Sequence, residues 1–323
     1  MGTTNFDIVR ANAFIGLGGL LTQGNVWHVK PSSGADGQDG KTANTAVKTL
    51  TKALSLATAD QNDIVLLYAE DNSASGTSDY QSATLTWNKD LVHLIGVGAP
   101  VAVSHRARIA QLSTATGLTQ LVKVSASGCL FKNLSIFHGV ADATSLVALQ
   151  VTGERNVFED MHIAGVGNVT MSAAGAASLE LEGGSENVFR RCVIGVDTIA
   201  RDADVAEIRF DGGASRNMFE DCTVQGFISN AGYAHVKVED ATGIDRWQIF
   251  KNCLFLSEST NDATLQTAIM VIPAMSQGYI LLQDSYYSCP TDATVWEEQG
   301  RTRIRNNAVA AAASGVGGEM TIL

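Results

Sequence analysis

The chain has 323 residues, of which 45% are apolar and 17% charged, with a formal net charge of −11 and a pI near 4.9. So acidic a chain lacks the basic face of a nucleic-acid binder, and DNA and RNA are excluded as expected partners. The apolar stretch Ala13–Leu21 is too short and glycine-rich to span a bilayer, so no membrane partner is expected.

Residues 1–26 lack the basic start and long apolar run of a secretory leader. Five cysteines are an odd number, and three of them fall at one repeat position, which predicts reduced thiols and synthesis in a cytoplasm. Phe14, Ile15, Leu17, Leu20 and Leu21 stand among glycines that oppose a stable helix. A monomer has no place to hide those side chains, so residues 1–26 are predicted to be a docking arm that lies on another surface.

From Trp27 the chain reads as strand, loop, helix and strand. The loop GADGQDGKT, from Gly34, ends like a phosphate-binding loop, but Ala35 stands where that motif needs glycine and no apolar strand leads in. Nucleotide binding is therefore not expected, and Asp36 and Asp39 read as residues of a solvated turn, not as calcium ligands. Ala46, Leu50, Ala53, Leu54 and Ala57 share one helical face. Ile64 to Tyr68 then reads as the first strand of the body of the protein.

The centre of the chain repeats itself. An anchor recurs at Phe131, Phe158, Phe189, Phe219, Phe250 and Leu282, at intervals of 27, 31, 30, 31 and 32 residues. Three positions later lie Leu134, Met161, Cys192, Cys222, Cys253 and Ser285, and two positions after those lie Ile136, Ile163, Ile194, Val224, Phe255 and Tyr287. In phase with this motif run the alternating strings LVKV, ALQV, SLEL, EIRF, HVKV and AIMV, each the mark of a strand with one buried face. Gly153, Gly183–Gly184 and Gly212–Gly213 break the chain after several of them. Helical and leucine-rich repeats do not fit these strings.

What fits is an all-β, right-handed, single-stranded parallel β-helix of about 30 residues per coil with an N-terminal capping helix. Stacked coils would put Phe158, Phe189, Phe219 and Phe250 in one core ladder and Cys192, Cys222 and Cys253 in another. One thiol per coil in an apolar column is a poor ligand set, so no metal is expected. Two positions past the anchor stand Asn133, Asp160, Arg191, Asp221, Asn252 and Asp284. Asn and Asp suit a tight turn there, and Arg191 predicts a turn that bends outward.

The segment Trp27 to Asp71, with its strand, Gly/Asp loop, helix and acid before the next strand, resembles the start of pectate-lyase-like β-helix proteins. The resemblance runs to about Ser288 and extends to tailed-bacteriophage virion proteins of decoration, tailspike or fibre type. The chain divides accordingly into a docking arm at 1–26, a strand, loop and capping helix at 27–60, a parallel β-helix at 61–300 and a C-terminal tail at 301–323. In such a fold outward carboxylates matter. One outer file holds Glu180, Arg209 and Lys237, and the next holds Glu182, Asp211 and Glu239, the candidate acid and nucleophile of a glycosidase.

Polygalacturonase-type signatures are missing, the histidines show no metal or triad spacing, and aromatics reach only 7%. The expected function is a structural virion protein of a tailed phage, a capsid decoration protein with no catalytic residues and no cofactor. The alternative is a polysaccharide-degrading or receptor-binding tailspike. The resemblance implies a homotrimer on a virion, made in the host bacterial cytoplasm, with the phage major capsid protein or other virion proteins as neighbours.

Overall fold

The computed structural model describes residues 24–73, 78–259, 266–273 and 278–288. Short backbone strands are also described at Glu297–Glu298, Ile304–Asn306, Ala308–Val309 and Gly318–Thr321. The chain winds as a right-handed parallel β-helix, and each coil lays one strand on each of three sheets in turn. Sheet 1 runs from Val26–Val29 to Ile304–Asn306, sheet 2 from Leu85–Trp87 to Glu297–Glu298, and sheet 3 from Ser78–Gln81 towards the C-terminal strands. Within each coil the order is sheet 1, sheet 3, sheet 2.

Register places like residues on like. Phe131, Phe158, Phe189, Phe219 and Phe250 pair in succession, with ring centroids 4.9, 4.6, 4.8 and 4.5 Å apart and planes within 9° of parallel. Each stacked contact contributes about 0.5–1.5 kcal/mol beyond the area it buries. Cys192, Cys222 and Cys253 form a second buried column. Each thiol donates to the carbonyl of the phenylalanine one coil earlier, at 3.4–3.5 Å. Burial pushes the Cys192 and Cys253 thiols up, which keeps them protonated.

The corner between sheets 1 and 3 is one residue in the left-handed region. Asn133, Asp160, Arg191, Asp221, Asn252 and Asp284 all have φ between 50° and 56°. Arg191 does not bend outward. Its backbone follows its neighbours, its N–H donates to the Glu220 carbonyl at 2.9 Å, and its guanidinium turns back onto Glu159 and Asp160. The stacked coils above and below fix the φ, and the side chain adapts to it. A second ladder lies at the other end of the sheet 1 strands. Asn156, Asn187, Asn217 and Gln248 are buried, and their amides donate to carbonyls of Ala126, Gly153, Gly184 and Ala214 at 2.8–3.1 Å. The Asn-Val-Phe and Asn-Met-Phe strings carried that ladder unread.

At the N-terminal end, Val26–Val29 pairs parallel with Ile64–Tyr68, so sheet 1 begins one strand earlier than the periodicity predicted. The helix Leu50–Leu56 packs Leu50, Ala53 and Leu54 into the same core as Trp27, Val29, Val65 and Leu67. Ala46 and Ala57 are buried but flank the helix. Asp36 lies exposed in a turn, as expected, and it also caps the helix segment. Its Oδ1 accepts the Lys48 and Thr49 N–H groups at 2.8 and 2.9 Å and so sets the start of the helix. The acid before the first strand, Asp63, is buried and accepts Trp27 Nε1 at 2.9 Å. Ile304–Asn306 adds a strand to sheet 1, and Gly318–Thr321 pairs antiparallel with Tyr286–Ser288, so the last residues contribute strands as well.

Candidate functional site on the second sheet

The strands Val147–Val151, Ala177–Glu182, Ala206–Asp211 and Ala234–Val238 alternate strictly at their C-terminal ends. Leu149, Leu179, Ile208 and Val236 point inward, as do Val151, Leu181, Phe210 and Val238. The residues between them must face out. Register then stacks Glu180, Arg209 and Lys237 in one file, to which Gln150 adds one coil earlier, and pairs Glu182 with Asp211 in the next, while the Glu239 N–H donates to the Phe210 carbonyl at 3.0 Å just past the strand.

Arg209 binds the two files together. Its Nη1 lies 3.1 Å from Glu180 Oε1 and its Nε 2.8 Å from Glu239 Oε1, while Nη1 also donates to the Gly175 carbonyl. Gln150 Nε2 donates to Glu180 Oε2 at 2.7 Å. Glu180 is only 7% exposed, and burial pushes its carboxyl above the usual range. The negative charges of Glu182 and Asp211 push the same way, against Gln150 and Arg209. Glu182 is exposed and Asp211 half-buried, with Oδ1 accepting the Gly212 N–H at 2.7 Å. Burial opposes the charge of Arg209, but Glu239 and Glu180 hold its pKa above the usual value.

Thus one carboxyl inclined to keep its proton sits beside carboxylates that do not share its burial, the usual division between acid and base. A coil spacing of about 4.8 Å separates the register partners Glu182 and Asp211, close to the about 5–5.5 Å between the two carboxyls of a retaining glycosidase, whereas Glu180 stands opposite Arg209 and two residues before Glu182 on the same strand. Of the predicted file, Glu239 is engaged by Arg209, and Glu182 and Asp211 are register partners. Gln150 and the burial of Glu180 were the parts missed. An amide and an acid at the same outward position of successive strings were the available signal.

A second feature lies across sheet 3. A cleft of about 240 Å³ is lined by Asp197, Gln225, Leu256, Ser257 and Glu258, with Gly226 in its floor. A Cβ at Gly226 would come 2.0 Å from the Tyr233 hydroxyl. Behind that floor Arg201 and Glu207 form a fully buried ion pair at 3.0 Å, and Ser178 Oγ donates to Glu207 at 2.6 Å. Nothing in the repeat announced this pair. Glu207 occupies a position where neighbouring coils carry Ala148, Ser178 and His235.

The predicted docking residues Phe14, Ile15, Leu17, Leu20 and Leu21 lie outside the described residues. No family model and no curated protein matches the sequence. Solved structures do share the fold. A pectate lyase aligns with 14% identity and a TM-score of 0.57 over 83% of this chain, and this chain spans only 64% of the lyase. A rhamnogalacturonan lyase aligns with 16% identity and a TM-score of 0.50, covering 81% of this chain and 68% of its own. A pectin methylesterase from Aspergillus niger aligns with 14% identity and a TM-score of 0.54, covering 89% and 84%. These likenesses establish the parallel β-helix. They also overturn the expectation of a non-enzyme, because the structures that share the fold are enzymes. That expectation rested on absences: missing polygalacturonase-type signatures, histidines without metal or triad spacing, and an aromatic content of 7%.

Proposed function

We propose that the chain is a tailspike-like β-helix protein that binds a polysaccharide along the outer face of sheet 2 and cleaves it there. The observation that carries this reading is that buried Glu180, inclined to hold a proton, lies within electrostatic reach of the register pair Glu182 and Asp211. Arg209 fixes Glu180 in place and Gln150 completes its hydrogen bonding. Glu180 is the proton donor to the leaving oxygen, and Asp211, helped by Glu182, is the base or nucleophile. The fold shared with two lyases and an esterase supports a polysaccharide as the substrate class.

Incubating the purified full chain with capsular polysaccharide, lipopolysaccharide and pectic polymers tests the reading. New reducing ends or unsaturated sugars are expected, and Glu180→Gln and Asp211→Asn should each reduce their formation at least a hundredfold. Undiminished product in both variants would move the chemistry elsewhere, and absence of both product and binding would overturn the proposal.

The placement on a tailed-phage virion, with a major capsid or other virion protein as neighbour and a homotrimeric state, belongs to this proposal. What supports it is the sequence resemblance and the apolar arm at residues 1–26. Deleting residues 2–24 should leave β-rich circular dichroism intact and abolish binding to particles that lack the protein. Undiminished binding would place docking elsewhere.

A further inference from the structure

The inward file of sheet 3 begins on an acid. Ile109, Ile136, Ile163 and Ile194 stack coil to coil, and their register partner on the first strand, Ser78–Gln81, is Asp79. Isoleucine would continue the core at that position. Asp79 is 2% exposed, and a carboxyl so withdrawn from water is costly unless its oxygens are engaged. One of them is. Oδ2 accepts Gln81 Nε2 at 2.5 Å and the Leu50 N–H at 3.3 Å, whereas Oδ1 has no partner among the described residues.

Asp79 lines a cleft of about 270 Å³ between this strand and the cap, with Ser32, Lys48, Thr49 and Tyr80 among its walls. The walls are tied down. Glu70 accepts the Ser32 and Ser33 N–H groups, and Asp36 accepts those of Lys48 and Thr49 at 2.8 and 2.9 Å. Tyr80 is 43% exposed, and its register partner on the next coil is Ala110, too small to cover the ring. The cleft is therefore preformed, with an uncovered aromatic face at its rim and an unanswered carboxyl oxygen within.

The chemistry of that oxygen limits the ligand. Burial pushes the Asp79 carboxyl up to about 7, with Asp36 adding to the rise and the Leu50 N–H and Gln81 opposing it. When the carboxyl is protonated, Oδ2 still accepts two N–H groups, so the proton sits on Oδ1 and needs an acceptor. When it is ionised, Oδ1 needs a donor. A hydroxyl answers both states, whereas an ammonium answers only the second and a carboxylate only the first. A pyranose offers hydroxyls along its edge and a C–H face for an aromatic ring. We propose that this cleft is a saccharide-binding site, separate from the carboxylates of sheet 2, in which one neutral pyranose unit lies on Tyr80 and hydrogen-bonds through a hydroxyl to Asp79 Oδ1. This goes beyond the catalytic reading and does not depend on it, because the cleft holds a sugar whether or not sheet 2 cleaves one.

The test uses the full chain, with the methyl glycosides of glucose, galactose, mannose and rhamnose as probes and binding read by saturation-transfer NMR and titration calorimetry. At least one probe should bind saturably. Tyr80→Ala removes the stacking ring and should weaken that binding about tenfold. Asp79→Ile continues the isoleucine file, so circular dichroism and the urea midpoint should hold while binding is lost. Glu180→Gln should bind the probe as the parent does. Absence of binding by every probe, parent-like binding in Tyr80→Ala or in folded Asp79→Ile, or loss of binding in Glu180→Gln would each overturn the proposal, and the last would assign the sugar to sheet 2. If Asp79→Ile fails to fold, Tyr80→Ala decides alone. Cleavage of a soluble oligosaccharide by Tyr80→Ala reports on the catalytic reading only, so the two proposals fail separately.

Discussion

The two long seams on either side of sheet 3 are built by different physics. The seam towards sheet 1 is made by the backbone: one left-handed residue per coil, φ 50° to 56°, whether that residue is Asn, Asp or Arg. The seam towards sheet 2 is made by side chains. There the connections carry their own small core of Val166, Met171, Ala176, Val205, Ile228 and Tyr233, with the buried Arg201–Glu207 pair behind it. A seam fixed by φ tolerates almost any side chain. One fixed by a particular ion pair and a few buried polar groups does not, and the wide seam is therefore where the solenoid should fail first.

Acid provides the largest effect. Burial pulls His105, His138 and His235 down to about 4 from a usual value of 6.5. The unfolded chain takes up these protons as pH falls through 6.5, whereas the folded protein refuses them until about 4, so stability is lost across that window. Each histidine contributes a loss of up to about 3 kcal/mol. Asp79 acts in the opposite sense. Burial raises it to about 7, so the folded protein binds a proton between pH 7 and 3.8 that the unfolded chain releases, which returns up to about 4 kcal/mol. Burial also lowers His28, His93 and His162 and raises Glu180 and Glu207, so six histidines stand against three acids and predict a net fall. Urea unfolding between pH 7 and 4 should show it, and His138→Leu should flatten the acid limb. An acid limb unchanged by that substitution would contradict the assignment.

The ion pair comes next. Glu207→Ala leaves Arg201 charged in a site with no exposure and should cost about 3–5 kcal/mol, whereas replacing both partners by apolar residues should recover most of the loss. Hydrogen exchange should quicken at Val205, Ile228 and Tyr233 well before Asp221 or Asn252. Uniform acceleration across both seams would erase the distinction between them.

The repeat was legible because a backbone seam imposes one period on every coil. The Phe ladder, the thiol column and both carboxylate files follow from that period alone. The wide seam was not legible, because Glu207 finds Arg201 only after residues 195–205 have folded over Ser178. Glu180 shows the same limit on the candidate site. Its outward direction could be read from alternation, but its burial depends on Gln150 and Arg209 lying on either side. The start of sheet 1 was missed for a similar reason, because Val26–Val29 pairs with a strand 38 residues later, across a loop and a helix that lie outside the repeat.

Within the core the effects are smaller. Cys222 is 1% exposed, and Cys222→Ala should cost about 1–2 kcal/mol by leaving a small void in the column. Native Cys192, Cys222 and Cys253 should resist a thiol reagent for as long as the coils stay closed. Fast labelling of all three in the folded protein would mean that the column opens, and would move the weak point from the wide seam to the core.

The smallest effect tests the backbone seam itself. Arg191 holds φ at 51°, a conformation that costs a long side chain more than it costs asparagine. Its compensation is ionic, with Nη2 2.7 Å from Glu159 and Nε 2.7 Å from Asp160. The guanidinium is 47% exposed, so the pair is screened and contributes only a few tenths of a kcal/mol. Arg191→Asn exchanges one term for the other and should shift stability by less than about 1 kcal/mol at low salt. Raising the salt concentration weakens the ion pair in the parent and leaves the φ preference alone, so the variant should gain on the parent as salt increases. Urea midpoints of the two proteins at low and high salt measure that gain. If Arg191→Asn costs several kcal/mol at either salt, the corner is held by its side chain after all, and the two seams differ in degree and not in kind.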